Sequence, residues 1–239
     1  MIALGLAVAG LALILGSEVL ARRFQPRYVI GRILAVAPQV TLEEAIALAE
    51  AGRPRYVRVH GRITSEEEFP DETDRPLVFR RKRIEVSADG RRWRTLTDEV
   101  EGVPFGLESR SASVEIDAAA LGDGLVVLER ESVGRVADLP AEVDRAGAAP
   151  EAVARLVVEQ VSAVEHAFAC GVPRHDLNGR VMISSGARRP LILTPLDLPA
   201  AMRVLAARRR LPATILGALV VVGVVLLAMA LVAAVIALL

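Results

Sequence analysis

Uncharged apolar residues fill positions 1–17 and 211–239, and between them apolar and polar positions alternate in short runs separated by Gly, Pro and Asp. At ~1.5 Å per helical residue, the second apolar run is longer than a ~30 Å hydrocarbon core requires. The first is followed by Glu18 and lies near the lower limit for a span. The pattern predicts transmembrane helices over residues 1–21 and 211–239, flanking a soluble domain over 28–205. A cleaved leader is the rival reading of the first run, since Val19, Leu20 and Ala21 include the small residue of a cleavage site. No basic residue precedes that run, which argues against cleavage.

Between the two runs, Thr41-Leu42-Glu43-Glu44 has the capping-box form and opens a short amphipathic helix closed by Gly52. Tyr56, Val57, Val59, Gly61 and Ile63 alternate with Arg58, His60 and Arg62, as a half-buried strand requires. An acidic, proline-bearing loop follows, from Glu66 to Asp74. Residues 77–86 and 91–96 form a hairpin about Ala88-Asp89-Gly90. A further strand pair is predicted across 104–116, and strands at 125–130, 153–168, 179–184 and 191–194, with a loop at 139–150. Asp197 and Pro199 open a last helix that runs toward Arg210. The expected class is thus a membrane protein with two transmembrane helices flanking a mainly antiparallel β (α+β) domain, barrel-like in form.

Charge fixes an orientation for that layout. Arg22, Arg23, Arg27 and Arg32 follow the first apolar run, and Arg203, Arg208, Arg209 and Arg210 precede the second, while neither outer end carries Lys or Arg. The positive-inside rule then places the domain in the cytoplasm and the chain in a bacterial inner membrane. The lipid bilayer is the first partner expected. Arg22, Arg23, Arg208, Arg209 and Arg210 are its headgroup contacts, each worth about 1 kcal/mol beside an anionic leaflet.

The 29 basic and 29 acidic residues balance to zero, which gives no electrostatic reason to expect nucleic acid. One cysteine, Cys170, excludes an internal disulfide. His166, Cys170 and His175, with His60 or Asp176, are ligand types, but their spacing matches no structural zinc pattern, and a buried thiol with surface histidines explains them better. Ser184 and Ser185 with His175 and Asp176 contain a nucleophile and a base without a nucleophile-elbow pattern, so a polar turn is the simpler reading. No catalytic residue, cofactor or metal is therefore assigned. The run Arg80 to Arg83 could contact anionic lipid headgroups or an acidic partner, but a solvated strand face or pairing with the acidic loop explains it better, and Trp93 reads as a core residue of the hairpin. Phe105 and Leu107 are a candidate partner surface beside Pro104.

The stretches from Pro76 to Glu85, Trp93 to Glu99, Val103 to Glu108 and Val114 to Asp117 resemble the membrane-adjacent domain of the MULAN/GIDE family, as does Glu159 ahead of an apolar stretch ending at Gly171. The resemblance covers most of residues 55–210 and implies a β-rich domain between two membrane segments. In eukaryotes the family comprises RING-type E3 ubiquitin ligases of mitochondrial or chloroplast outer membranes, and in its mitochondrial members the domain faces the intermembrane space. That topology is opposite to the one the arginines predict. A RING needs two tetrahedral zinc sites, with about eight Cys and His ligands. Cys170, His60, His166 and His175 are all that these 239 residues contain, so they cannot form one. The functional expectation is a membrane-anchored, non-catalytic interaction or regulatory module with a protein partner. The alternatives are a membrane subunit of a ligase-like or proteolytic system whose catalytic chain is separate, and a structural envelope protein.

Overall fold

The computed structural model describes residues 4–17, 19, 29–90, 92–139, 143, 147–207 and 217–233. Along the chain lie helices α1 (Ile2–Phe24), α2 (Pro26–Val36) and α3 (Leu42–Glu50), then strands β1 (Val57–Thr64), β2 (Phe69–Pro70), β3 (Pro76–Ser87) and β4 (Arg94–Gly102). Next come β5 (Gly106–Glu108), β6 (Ser113–Ile116), β7 (Arg130–Arg135), β8 (Val153–Ser162) and β9 (His166–His175). The chain closes with β10 (Val181–Ser184), β11 (Ile192–Thr194), α4 (Leu198–Ala207) and α5 (Ala213–Leu238). Two compact units result: residues 1–32 with 205–239, and residues 33–204.

In the first unit α1 packs along α5 at a point where neither helix has a side chain. A Cβ on Gly10 would lie 2.8 Å from the Gly223 carbonyl oxygen, and one on Gly223 would lie 3.0 Å from that of Gly10. Leu4, Val8, Leu11 and Leu15 of α1 and Val221, Val225 and Leu231 of α5 are exposed. The expectation of two membrane-spanning helices does not stand. Among the described residues no helix is long and apolar enough to cross a membrane. The integral-membrane localisation inferred from those two helices falls with them. Arg22, Arg23, Arg208, Arg209 and Arg210, the expected headgroup contacts, lie outside the described residues.

In the second unit the alternation read in the sequence becomes a barrel. Strands hydrogen-bond in the order β1-β5-β6-β10-β9, and β9 returns to β1 to close the ring. All pairings in the ring are antiparallel except that of β6 with β10. A five-stranded closed ring in this Greek-key order has the architecture of an OB-type barrel. Val57, Val59 and Ile63 of β1 point inward with Leu107, Ala169 and Ile183, all 1% exposed or less. Helix α3 contributes Leu42 and Ala45 to the same core. Its capping box is complete: the Thr41 hydroxyl accepts from the Glu44 amide at 3.1 Å, and the Glu44 carboxylate accepts from the Thr41 amide at 2.9 Å. Removing that cap with Thr41→Ala is expected to lower the unfolding free energy by about 1 kcal/mol, read as a shifted urea midpoint at unchanged slope.

Phe105 and Leu107 belong to this core at 4% and 0% exposure, which corrects their reading as a partner surface. Strand β5 is three residues long, too short for its alternation to be seen, and its inward side chain is the apolar one. A second difference lies at residues 125–130. Leu125 makes only an isolated bridge to Leu193, and the strand proper begins at Arg130. The long run read as one strand over 153–168 is a hairpin, β8 and β9, with Ala163 and Glu165 in the connection.

Beside the barrel, β7, β8 and β3 form a half-barrel whose far edge is shared by β4 and β2. Its charges are paired across neighbouring strands. Arg81 makes a two-point contact with Asp98 of β4 at 2.7 and 2.6 Å, and Arg80 reaches Glu101 at 2.5 Å. Lys82 lies 3.5 Å from Glu72 in the acidic loop, and Arg83 lies 3.5 Å from the buried Glu159 of β8. The three arginines of the run are thereby occupied within their own sheet, and Lys82 by the loop beside it. Trp93 is half-buried, under the Arg155 guanidinium at 4.1 Å.

Candidate functional site

The outward positions of β1 are Arg58, His60 and Arg62, set there by the inward Val57, Val59, Gly61 and Ile63. Register places Arg58 opposite Cys170, His60 opposite Phe168 and Arg62 opposite His166 on β9, and Thr194 of β11 lies on the other side of Phe168. Partners across a sheet share a face. The barrel's outer wall therefore carries a row of cationic and aromatic groups. The His60 ring stacks on His166 at 5.6 Å and lies 4.5 Å from the Phe168 ring, and the Arg58 guanidinium carbon sits 5.9 Å from the Phe168 centroid. Partial burial, and secondly the charge of His166, hold His60 below the ordinary histidine range.

At one end of this row the wall is hollowed into a cleft of about 210 Å³, lined by Leu34, Gln39, Arg58, Phe168, Thr194, Leu196 and Leu198. Three pieces of chain build it over the strands. The C-terminal turn of α2 supplies Leu34. Residues 38–40 run beside β1, with the Arg58 amide donating to the Pro38 carbonyl at 2.8 Å and the Val40 amide to the Arg58 carbonyl at 3.0 Å, which fixes Gln39. The start of α4 supplies Leu198, where the Asp197 carboxylate accepts from the Ala200 amide at 2.7 Å and caps the helix.

Among the described residues, Arg58 is the only charged side chain lining the cleft. Its Nη1 donates to the Leu34 carbonyl at 2.7 Å and its Nη2 to Gln39 Oε1 at 3.0 Å. The first contact satisfies a carbonyl left open in the last turn of α2, where a cation also suits the helix dipole. Its Nε is buried and has no hydrogen-bond partner. Among the described residues no carboxylate pairs with Arg58. Thr194, fully buried, accepts from the Leu196 amide at 3.2 Å, and no acceptor for its hydroxyl proton is seen among the described residues. An apolar cleft thus holds a cation without a counter-charge and two donors without acceptors.

The other groups singled out in the sequence do not assemble into a reactive centre. Ser184 donates to Asp117 Oδ2 at 2.5 Å and accepts from Arg174 Nη2 at 2.6 Å, while Arg174 also bridges to Asp117 at 3.1 Å. Its hydroxyl proton is committed to a carboxylate, and no imidazole reaches it. His175 Nδ1 is 3.0 Å from the Gly179 carbonyl, and Asp176 holds the intervening turn through the Asn178 and Arg180 amides at 2.8 and 2.7 Å. Cys170 is fully buried and its thiol is pushed up to about 12, chiefly by desolvation, which leaves it protonated and unreactive near neutrality. Among the described residues no three His, Cys, Asp or Glu side chains gather in a metal-binding group.

Sequence reasoning read Arg58 as one more solvated strand position and did not single out Gln39, Phe168 or Thr194. The available signal was an arginine set between two valines of an alternating strand. What encloses it comes from α2 and α4, far away in the chain. Comparison of the chain with protein-family models, with curated proteins and with solved structures finds no match.

Proposed function

We propose that the chain is a non-catalytic interaction module, of the kind that its resemblance to the MULAN/GIDE domain implies, and that it recognises a protein partner through the cleft on the outer wall of the barrel. The observation that carries this reading is the cleft itself: an apolar hollow with one uncompensated guanidinium, built by three separate chain segments over a closed barrel. Hollows of that composition, mostly apolar with a few polar groups that orient the ligand, are the usual form of a recognition site. The alternative use of an OB-type barrel, reading oligonucleotides across its second and third strands, has little support here. The outward residues of β5 and β6 are Glu108, Ser113 and Glu115, which offer no ring for a base to stack on and the wrong charge for phosphate.

Filling the cleft tests the reading. Leu198→Trp places an indole at the half-buried first position of α4. A partner retained by the immobilised wild-type protein should be lost by this variant while its melting temperature stays near that of wild type. Equal retention by both proteins would remove the cleft from the interaction.

A further inference from the structure

We propose that the ligand element taken by this cleft is a carboxylate carried on a short apolar group. The inference rests on the reading of the barrel wall as a recognition site and adds the chemistry of what is recognised. It begins from hydrogen-bond accounting. A buried donor without an acceptor costs about 1–3 kcal/mol, so such donors are rare in native proteins. Here two occur at one small hollow, the Arg58 Nε–H and the Thr194 hydroxyl, each with its acceptor unassigned. An arginine is always protonated, and a half-buried one without a carboxylate nearby creates a positive potential in a region of low polarity. Both features are relieved by the same group, an anion with two acceptor oxygens.

Three observations narrow that anion to a carboxylate. Arg58 Nη1 and Nη2 each already hold an acceptor, Leu34 O and Gln39 Oε1, so the guanidinium does not offer the open fork that binds a phosphate at two points. Two unassigned donors match two carboxylate oxygens. The remaining lining, Leu34, Leu196, Leu198 and the Phe168 ring, is apolar and asks for a hydrocarbon stem. The volume of about 210 Å³ has room for roughly eight non-hydrogen atoms at the packing density of a protein interior. That is the size of a branched six-carbon acid, or of one apolar residue with its terminal carboxylate at the end of a polypeptide. The chemistry is shared by both sources, and the last residue of a protein partner is the one that fits the recognition role.

The test uses the full chain and four probes: isocaproate, isocaproamide, the peptide Gly-Ser-Gly-Ser-Leu with a free carboxylate, and the same peptide as its amide. Binding is read by calorimetry and by ligand-observed magnetic resonance. At least one acid should bind while its amide does not, and Arg58→Gln should weaken it by about tenfold or more. Arg62→Gln, an exposed arginine on the same strand but outside the cleft, should leave binding unchanged. Binding of the peptide acid alone identifies a polypeptide terminus as the source, and binding of isocaproate alone identifies a free acid. Acid and amide binding equally, Arg58→Gln binding as wild type does, or no probe binding would each overturn the proposal. If Arg58→Gln does not fold, the comparison of acid with amide on the wild-type protein still decides. A partner lost by Leu198→Trp but retained by Arg58→Gln would leave the recognition reading standing and reject the carboxylate.

Discussion

Gly124→Ala is expected to abolish folding or to cost about 4 kcal/mol or more, the largest effect of any single methyl group in the barrel unit. The Cβ would lie 1.8 Å from the Leu191 carbonyl oxygen, 2.9 Å from its carbonyl carbon and 3.4 Å from the Ile192 Cα. All three obstacles are backbone, so no rotamer change relieves the overlap. Nor is the backbone free to retreat. Leu191, Ile192 and Leu193 are fully buried, and the chain just past Gly124 is tied to the same segment through the Val126 amide and the Leu193 carbonyl at 2.9 Å. The clash therefore separates two segments whose approach closes the core over Leu121 and Val127. Gly134→Ala is the internal comparison. Nothing lies within 4 Å of a Cβ built there on β7, and alanine reduces the freedom of the unfolded chain, so the change should stay within about 1 kcal/mol of neutral. Thermal melts of the two variants decide the matter. For a unit of this size 4 kcal/mol corresponds to a fall of about 8–16 °C, and a Gly124→Ala protein melting within a few degrees of wild type would show that the two segments are not held together.

The glycines mark the boundary between what the sequence displays and what only the fold reveals. Gly90 was legible. Asp-Gly between two alternating runs is a hairpin signal, and the residue adopts a φ of 67°, which suits glycine. Thr41 and Glu44 were equally legible, because a capping box lies within four residues. Gly124 carries no comparable sign, since its requirement is space and the neighbour that denies the space is Leu191, remote in sequence. The same distinction separates the strands from their arrangement. Val57, Val59 and Ile63 announce an inward face, but periodicity does not say which strand lies alongside. The one parallel pairing of the ring joins Glu115 to Met182, and nothing local in either strand points to the other. Helix α2 was not recognised at all. Pro26-Arg27-Tyr28-Val29-Ile30-Gly31 contains two β-branched residues and a glycine, which oppose helix on propensity, and packing prevails.

The candidate site was the least legible part because it is assembled from segments that are individually ordinary. Arg58 lies in the half-polar stripe of a strand, Gln39 in a connecting segment, and Leu34 and Leu198 on helices near the first and last residues of the unit in sequence. Each has an unremarkable local environment, and only their meeting over Phe168 leaves a cation facing apolar surface. The two apolar terminal runs show the opposite error. They were the strongest local signal in the chain, yet composition alone was an insufficient guide to a span, since no helix among the described residues has the length and apolarity required. The Arg80 to Arg83 run was read as a solvated strand face or as partners of the acidic loop, and the acids it meets are mostly elsewhere. Its principal partners are Asp98, Glu101 and Glu159 on the flanking strands, and only Lys82 reaches the acidic loop.

Leu107→Ala is the second large effect, and it separates the two roles that the Phe105 and Leu107 pair could have. Leu107 is 0% exposed, faces Ile63 of β1 and Val114 of β6 in the ladder, and lies in the main core cluster with Val59 and Ile183. Truncation removes three carbons from a closed ring whose strands are fixed by hydrogen bonds on both sides, so the walls collapse only in part. Leu→Ala at such a site costs about 2–5 kcal/mol, the transfer free energy of the lost carbons plus that of the cavity they leave. At about 3 kcal/mol the melting temperature should fall by about 6–12 °C, and the urea midpoint should drop without a change of slope. Binding at the outer cleft should persist wherever the variant remains folded, because Leu107 points to the opposite side of the barrel wall from the row that contains Arg58. A partner surface would behave in the reverse way, with stability preserved and binding lost. Full stability in Leu107→Ala would therefore contradict the barrel core described here, and the lost binding would return Phe105 and Leu107 to the surface role that burial has denied them.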